Sequence, residues 1–248
     1  MVTILKNKRG SQKKFLKSGS LIHPSVVLTS ANFSSTPKIN NSSIIVRAAD
    51  WNIRSDTESY PYQQSNVESI VIHEDYHRDS LWNDMALLFL ETPFIISTNV
   101  NLICLPSQDQ SFDNSRCIVT GWRKIGTGNT GKFQGVINHF EVPIVSHRQC
   151  QESLHATEML HPNYRLHESF ICAGGERGKG ACRRDAGSSL ICPVTNNEAY
   201  YYQAGIVLWR VGCGVEGVPE VYVKVSNFRN WIDGKLNERG FGTDSYTV

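Results

Sequence analysis

What most constrains the fold is a succession of short β-branched and aromatic runs, broken by Gly, Pro, Asn and Asp. They fall at Val2–Leu5, Leu21–Ile22, Val26–Thr29, Ser43–Ala48, Val67–His73, Ala86–Leu90, Arg116–Gly121, Gly135–Val145, Leu190–Pro193, Tyr200–Trp209 and Val221–Val225. Runs this short bury an apolar face only by pairing into sheets. Helical signal is confined to two stretches. Ser146–Ser153 suits a short helix. Ser226–Leu236 carries Phe228, Trp231, Ile232 and Leu236 at helical spacing, behind a Ser226/Asn227 cap and before Gly240. The expectation is an all-β chain, one barrel or a pair of barrels, closed by a C-terminal α-helix. No internal repeat, linker or low-complexity tract interrupts it.

At 248 residues the chain makes one large domain or two small ones. A hydrophobic content of 40% with 19% charged residues is that of an ordinary globular protein. The net charge of +2 calls for no nucleic-acid or membrane partner. No apolar run approaches the ~18 residues of a membrane span. Lys6, Lys8, Arg9, Lys13, Lys14 and Lys17 cluster near the start and predict a solvated hairpin. Seven cysteines together with sequons point to an oxidising, extracellular compartment, with Asn40 and Asn41 as candidate N-glycosylation sites. Met1–Leu5 lacks the basic leading region and cleavage site of a signal peptide, so the native product is expected to begin upstream. His155, His161 and His167 share a polar loop without metal-ligand spacing, and neither metal nor cofactor is expected.

The stretch Gly178–Cys192 reads G-K-G-A-C-R-R-D-A-G-S-S-L-I-C. It resembles the G-D-S-G-G-P-L-V-C segment of chymotrypsin- and trypsin-like serine proteases, with Asp185, Gly187 and Leu190-Ile191-Cys192 matching and Ala186 at the nucleophile's position. Further resemblances follow in family order. Ser18–Ile22 matches C-G-G-S-L-I, Val27–Phe33 matches V-L-T-A-A-H-C, and Asn83–Leu88 matches N-D-I-A-L-L. Cys117–Trp122 matches C-x-x-x-G-W, Phe170–Gly174 matches M-I-C-A-G, Gly205–Cys213 matches G-I-V-S-W-G-x-G-C, and Pro219–Val225 matches P-G-V-Y-T-x-V. The resemblance implies two six-stranded antiparallel β-barrels meeting at a cleft, over residues 1–238, with the first strand and activation site truncated and a tail at 239–248. It implies disulfides Cys117–Cys192, Cys150–Cys172 and Cys182–Cys213. Lys17 and Phe33 stand where a further disulfide braces the histidine loop. Cys104 is left unpaired, at a position that in many relatives tethers an N-terminal propeptide or clip domain.

A serine protease needs a hydroxyl, an imidazole to take its proton and a carboxylate to orient that imidazole. The resemblance assigns these positions to Ala186, Asn32 and Asp84. A methyl group cannot attack a carbonyl, and an amide is no base near neutral pH. Asp84 then reads as a buried aspartate bonded to neighbouring backbone. The oxyanion-hole glycine is replaced by Arg184. Asp185, without a new N-terminus to pair with, is expected to turn to Arg183 or Arg184. In the specificity pocket Gly180 stands at the base, Leu208 replaces a serine, Trp209 is kept, and Arg210 and Glu220 replace glycines. Glu220 is expected to point into the pocket, and an Arg210–Glu220 ion pair to fill it. Ser188 and Ser189 lie too far along the turn to substitute for Ala186. The wording of Cys172–Glu176, and of Val142–Val145 before Cys150, resembles insect clip-domain serine protease homologues of the prophenoloxidase-activating-factor type. These are non-catalytic, and some are cofactors in melanisation and immune cascades; no clip domain is read in this chain. The resemblance implies a secreted, inactive, protein-binding regulator whose partners are cascade proteases or their zymogen substrates. A trypsin-like endopeptidase with an unrecognised mechanism and a gene fragment without a role stay open beside it.

Overall fold

The short apolar runs pair into two closed antiparallel barrels. The computed structural model describes residues 1–8, 11–33, 43–53, 60–122, 124–125, 132–133, 135–161, 163–179, 185–195 and 197–248. In the first barrel β1 (Val2–Lys8), β2 (Ser11–His23), β3 (Val26–Thr29), β4 (Ile44–Ala48), β5 (Gln63–Ile72) and β6 (Ala86–Leu90) close in the order β1-β2-β3-β6-β5-β4. The second contains β7 (Arg116–Gly121). After a small sheet of β8 (Lys124–Ile125) and β9 (Lys132–Phe133), it continues with β10 (Asn138–Val145), β11 (Phe170–Gly174), β12 (Ser189–Val194), β13 (Asn197–Trp209) and β14 (Pro219–Lys224). It closes as β10-β11-β14-β13-β12-β7.

Burial patterns explain which runs were legible as strands. In β7 Cys117, Val119 and Gly121 face inward while Arg116 is exposed, the period of two that a half-buried strand requires. β3 and β6 are buried at every position. Their inner residues Val27 and Leu88 fill the first barrel with Val2, Ile4 and Val46. Their outer residues Leu28, Leu87 and Phe89 pack on Ile206, Val225, Ile232 and Leu236, joining the barrels and the C-terminal helix in one core. β2 runs well beyond the expected Leu21–Ile22 because its polar half pairs with β1 back to Ser11. β11 was not foreseen: Phe170–Gly174 is short and ends in glycine, yet it pairs with β14 over five positions.

The helix α1 (His147–His155) starts where expected, with Ser146 Oγ accepting from Gln149 N. The helix α2 (Arg229–Asn237) differs from expectation at its start. A 3-10 turn, Val225–Phe228, precedes it, and Phe228 is the capping residue, without a side-chain cap bond. Ser226 is buried, and the Asn227 amide donates to Glu168 O instead. The stretch 239–248, expected as a tail, is docked. Tyr246 is fully buried, its hydroxyl donates to Asp233 Oδ1, and its carbonyl accepts from Leu105 N. Disulfides join Cys117 to Cys192 and Cys150 to Cys172 across 75 and 22 residues. They contribute about 4 and about 3 kcal/mol in the chain-entropy account. Cys213 is disulfide-bonded as well; Cys182, its expected partner, lies outside the described residues. Cys104 is a free, half-buried thiol.

Candidate functional site

The register of β3 against β6 pairs Thr29 with Ala86, which brings the residues just after β3 beside those just before β6. Asn32 N therefore donates to Asp84 Oδ1 at 2.6 Å. The turn before β12 approaches from the second barrel, where Ser18 N donates to Ala186 O at 3.1 Å. Gly187 holds this turn at φ +80°, and a Cβ there would lie 2.3 Å from Ser18 O. Only glycine fits both the conformation and the approach. Asn32, Asp84 and Ala186 are thus gathered at the junction of the barrels. Ala186 is exposed and presents a methyl group. Ser188 and Ser189 are buried, and Ser189 Oγ lies 2.5 Å from Ser20 Oγ, a bridge between the barrels.

The largest departure from expectation is Lys17. Its place in a basic hairpin predicts a solvated side chain, yet it is 3% exposed. Its ammonium donates to Ser30 O at 2.9 Å, to Ser30 Oγ at 2.6 Å and to Asn32 O, and it lies 4.3 Å from the Phe33 ring centroid. All three protons of a protonated amine are used, and the aromatic face supplies a cation–π contact. The Asn32 peptide is held from both sides, its carbonyl by Lys17 and its N–H by Asp84. Burial lowers the Lys17 amine to about 8 against the opposing attraction of Asp84. Burial raises Asp84 to about 6, against Lys17 and the Asn32 and Ala31 N–H groups, which lower it. A hydroxyl beside an amine has the make-up of a nucleophile–base pair. Ser30, however, is 2% exposed, so no substrate carbonyl reaches it.

Glu220 is buried in β14, opposite Ala173 and beside Gly174. Its Oε2 accepts from Tyr222 Oη at 2.8 Å. Tyr222 is raised well above the usual phenol range, first by burial and then by the charge and hydrogen bond of Glu220; Asp185 adds to this, and Arg210 opposes it. Two acids, a buried phenol and an arginine therefore share one electrostatic neighbourhood. Arg210 Nε points at Cys213 Sγ, 3.4 Å away. Leu208 packs between two core clusters, and Trp209 meets Tyr164 edge-on at 6.1 Å. Gly180, Arg183, Arg184, Asn40 and Asn41 lie outside the described residues. Next to Trp209 opens a cavity of about 670 Å³ walled by Leu81, Trp82, Leu160 and Tyr164, with Asp79 and Arg165 also lining it. Sequence reasoning missed Trp82 and Tyr164 here because single aromatics in loops carry no period. Among the described residues no group of three or more His, Cys, Asp or Glu is placed to hold a metal ion. His155 Nε2 lies 2.8 Å from Tyr164 O, and His161 Nδ1 accepts from Asn163 N.

The sequence profile of the Trypsin family matches residues 3–232. The chain belongs to the trypsin family. Among its relatives within that family, phenoloxidase-activating factor 2 of Galleria mellonella is 42% identical over 234 residues, 94% of this chain and 76% of that protein. The inactive CLIP domain-containing serine protease A8 of Anopheles gambiae is 34% identical over 227 residues, 91% of this chain and 60% of its own length. Protein masquerade of Drosophila melanogaster is 35% identical over 225 residues, of which this chain spans 21% of the relative's length. Several trypsin-family relatives are therefore named as inactive, and most are considerably longer than this chain. Among the described residues, no helix is long and apolar enough to cross a membrane.

Proposed function

We propose that this trypsin-family chain is a secreted, non-catalytic, protein-binding regulator or cofactor of an extracellular proteolytic cascade of the immune, melanisation type. The observation that carries the reading is the state of the cleft. Its gathered residues are an alanine, an asparagine whose carbonyl is held by Lys17, and an aspartate bonded to that asparagine's N–H, with a buried glutamate bonded to Tyr222 nearby. Among the described residues, no group there can both attack a carbonyl and be reached by one. Names of relatives that combine a phenoloxidase-activating factor with inactive CLIP domain proteases support the cascade setting. A cascade protease or its zymogen substrate is the partner, and the apolar cavity beside Trp82 and Trp209 is where an extended segment of it docks.

The test is reconstitution. Purified, disulfide-bonded chain is added to an activating protease and its zymogen substrate, and the rate of zymogen conversion is followed. A severalfold change is expected with wild type and is expected to vanish in Trp82→Ala/Trp209→Ala. An unchanged rate at saturating protein would contradict the cofactor role.

A further inference from the structure

Trp82 is carried on a strained loop. Leu81 and Asn83 on either side have φ of +60° and +52°, a left-handed conformation that disfavours most non-glycine side chains, leucine more than asparagine. Something must hold it. From the first barrel His77 N donates to Trp82 O and Asn83 Nδ2 to Asp75 O. From the second barrel come contacts centred on His167. Its ring stacks on Trp82 at 4.6 Å and 13°. Its Nδ1 accepts from Ser169 N at 3.2 Å and lies 2.8 Å from Ser169 Oγ, which in turn accepts from Asn83 N at 3.2 Å.

These bonds have a direction. With Nδ1 bare, the Ser169 hydroxyl proton points to the imidazole and its lone pairs receive the Asn83 N–H. A proton added at Nδ1 turns that nitrogen into a donor. The Ser169 N–H then faces another N–H, and the hydroxyl must turn its proton elsewhere although Ser169 is 1% exposed. We propose that His167 is a proton-operated clasp between the barrels: as neutral imidazole it fixes Asn83 and Trp82, and on protonation it releases them and reshapes the cavity they wall. Its regulatory meaning rests on the docking role proposed above for that cavity.

The groups around the clasp set its pH range. Burial lowers the His167 basicity and the adjacent Glu168 carboxylate raises it, with burial the larger. Phe170 contributes a ring edge at 6.0 Å. Trp82 meets a second imidazole, His77, at 5.8 Å, and Asp79 and Arg165 line the same cavity. The released form binds the proton more readily than the clasped form. The clasp is therefore complete above the ordinary histidine range and weakens as pH falls through and below it.

Nitrogen-15 NMR of the intact chain reads this directly. At pH 7.5 His167 is expected with Nε2 protonated and Nδ1 bare. Between pH 7.5 and 5.0 the opening constant of the Asn83 amide, from exchange corrected for its intrinsic rate, is expected to rise severalfold. His167→Gln, whose carbonyl can still accept, is expected to lose this dependence, and His77→Gln to keep it. A proton on Nδ1 at pH 7.5, or the same pH dependence in His167→Gln, would overturn the clasp. Should that variant not fold, the wild-type tautomer decides alone. No partner enters these readouts, so failure of the cascade assay leaves them standing.

Discussion

Replacing Lys17 by Met is expected to destabilise the protein by about 3–5 kcal/mol at pH 7. The side-chain volume is nearly kept, so no cavity explains the loss. What disappears is a buried cation serving Ser30 O, Ser30 Oγ and Asn32 O, together with the counter-charge of Asp84. For a chain of this size the loss lowers Tm by roughly 6–20 °C. The double variant Lys17→Met/Asp84→Asn is expected to recover much of it, because removing both charges of a buried pair strands neither. The pair also fixes two pH trends. Asp84 is raised in the folded state to about 6, so the folded chain holds more protons than the unfolded one below that value. Stability from this group accordingly grows as pH falls from 6 towards the ordinary aspartate value. Lys17 is lowered to about 8, so stability from it grows as pH rises from 8 towards the ordinary lysine value. Between these limits both are charged, and the pair costs most. In Lys17→Met the Asp84 carboxyl is expected to titrate above 6, as carbon-13 NMR of that carboxyl would register; an unchanged or lower value would contradict the coupling of the two charges.

Tyr246→Ala is expected to cost about 3–5 kcal/mol, the range for a large aromatic removed from a core. The ring is fully buried among Leu105, Ile22 and the α2 residues Ile232 and Leu236. Around it Ser245 Oγ donates to Ile22 O and Arg229 reaches Thr247 Oγ1. Phe241 adds ring contacts to His23 and Phe89. Denaturant unfolding should show this loss in Tyr246→Ala and a larger one in a chain ending at residue 240, which also gives up the Phe241, Ser245 and Thr247 contacts. Stability equal to wild type in either would show that the last residues are only laid on the surface.

Much of this architecture could be read from residues alone, for reasons that differ by element. β7 was legible because period-two alternation survives in a strand with one wet face. β3 and β6 were legible as unbroken apolar runs because a second layer covers them. β11 escaped because five residues ending at a positive-φ glycine carry no period of their own. The gathering of Asn32, Asp84 and Ala186 followed from motif order. The inward turn of Lys17 did not, since composition makes any lysine in a basic hairpin look solvated, and only three converging oxygens and an aromatic face reverse that preference. The docked C-terminus escaped for a similar reason. Tyr246 is a single buried anchor among small polar neighbours, and one residue makes no pattern.

The proposed function requires a trypsin-family scaffold without protease chemistry. The most direct test is to present intact, disulfide-bonded chain with a fluorogenic peptide library and a fluorophosphonate serine probe between pH 6 and 9. No turnover above buffer and no labelling are expected. Turnover or labelling that a single substitution at Ser30, Lys17 or another residue of the cleft abolishes would contradict it.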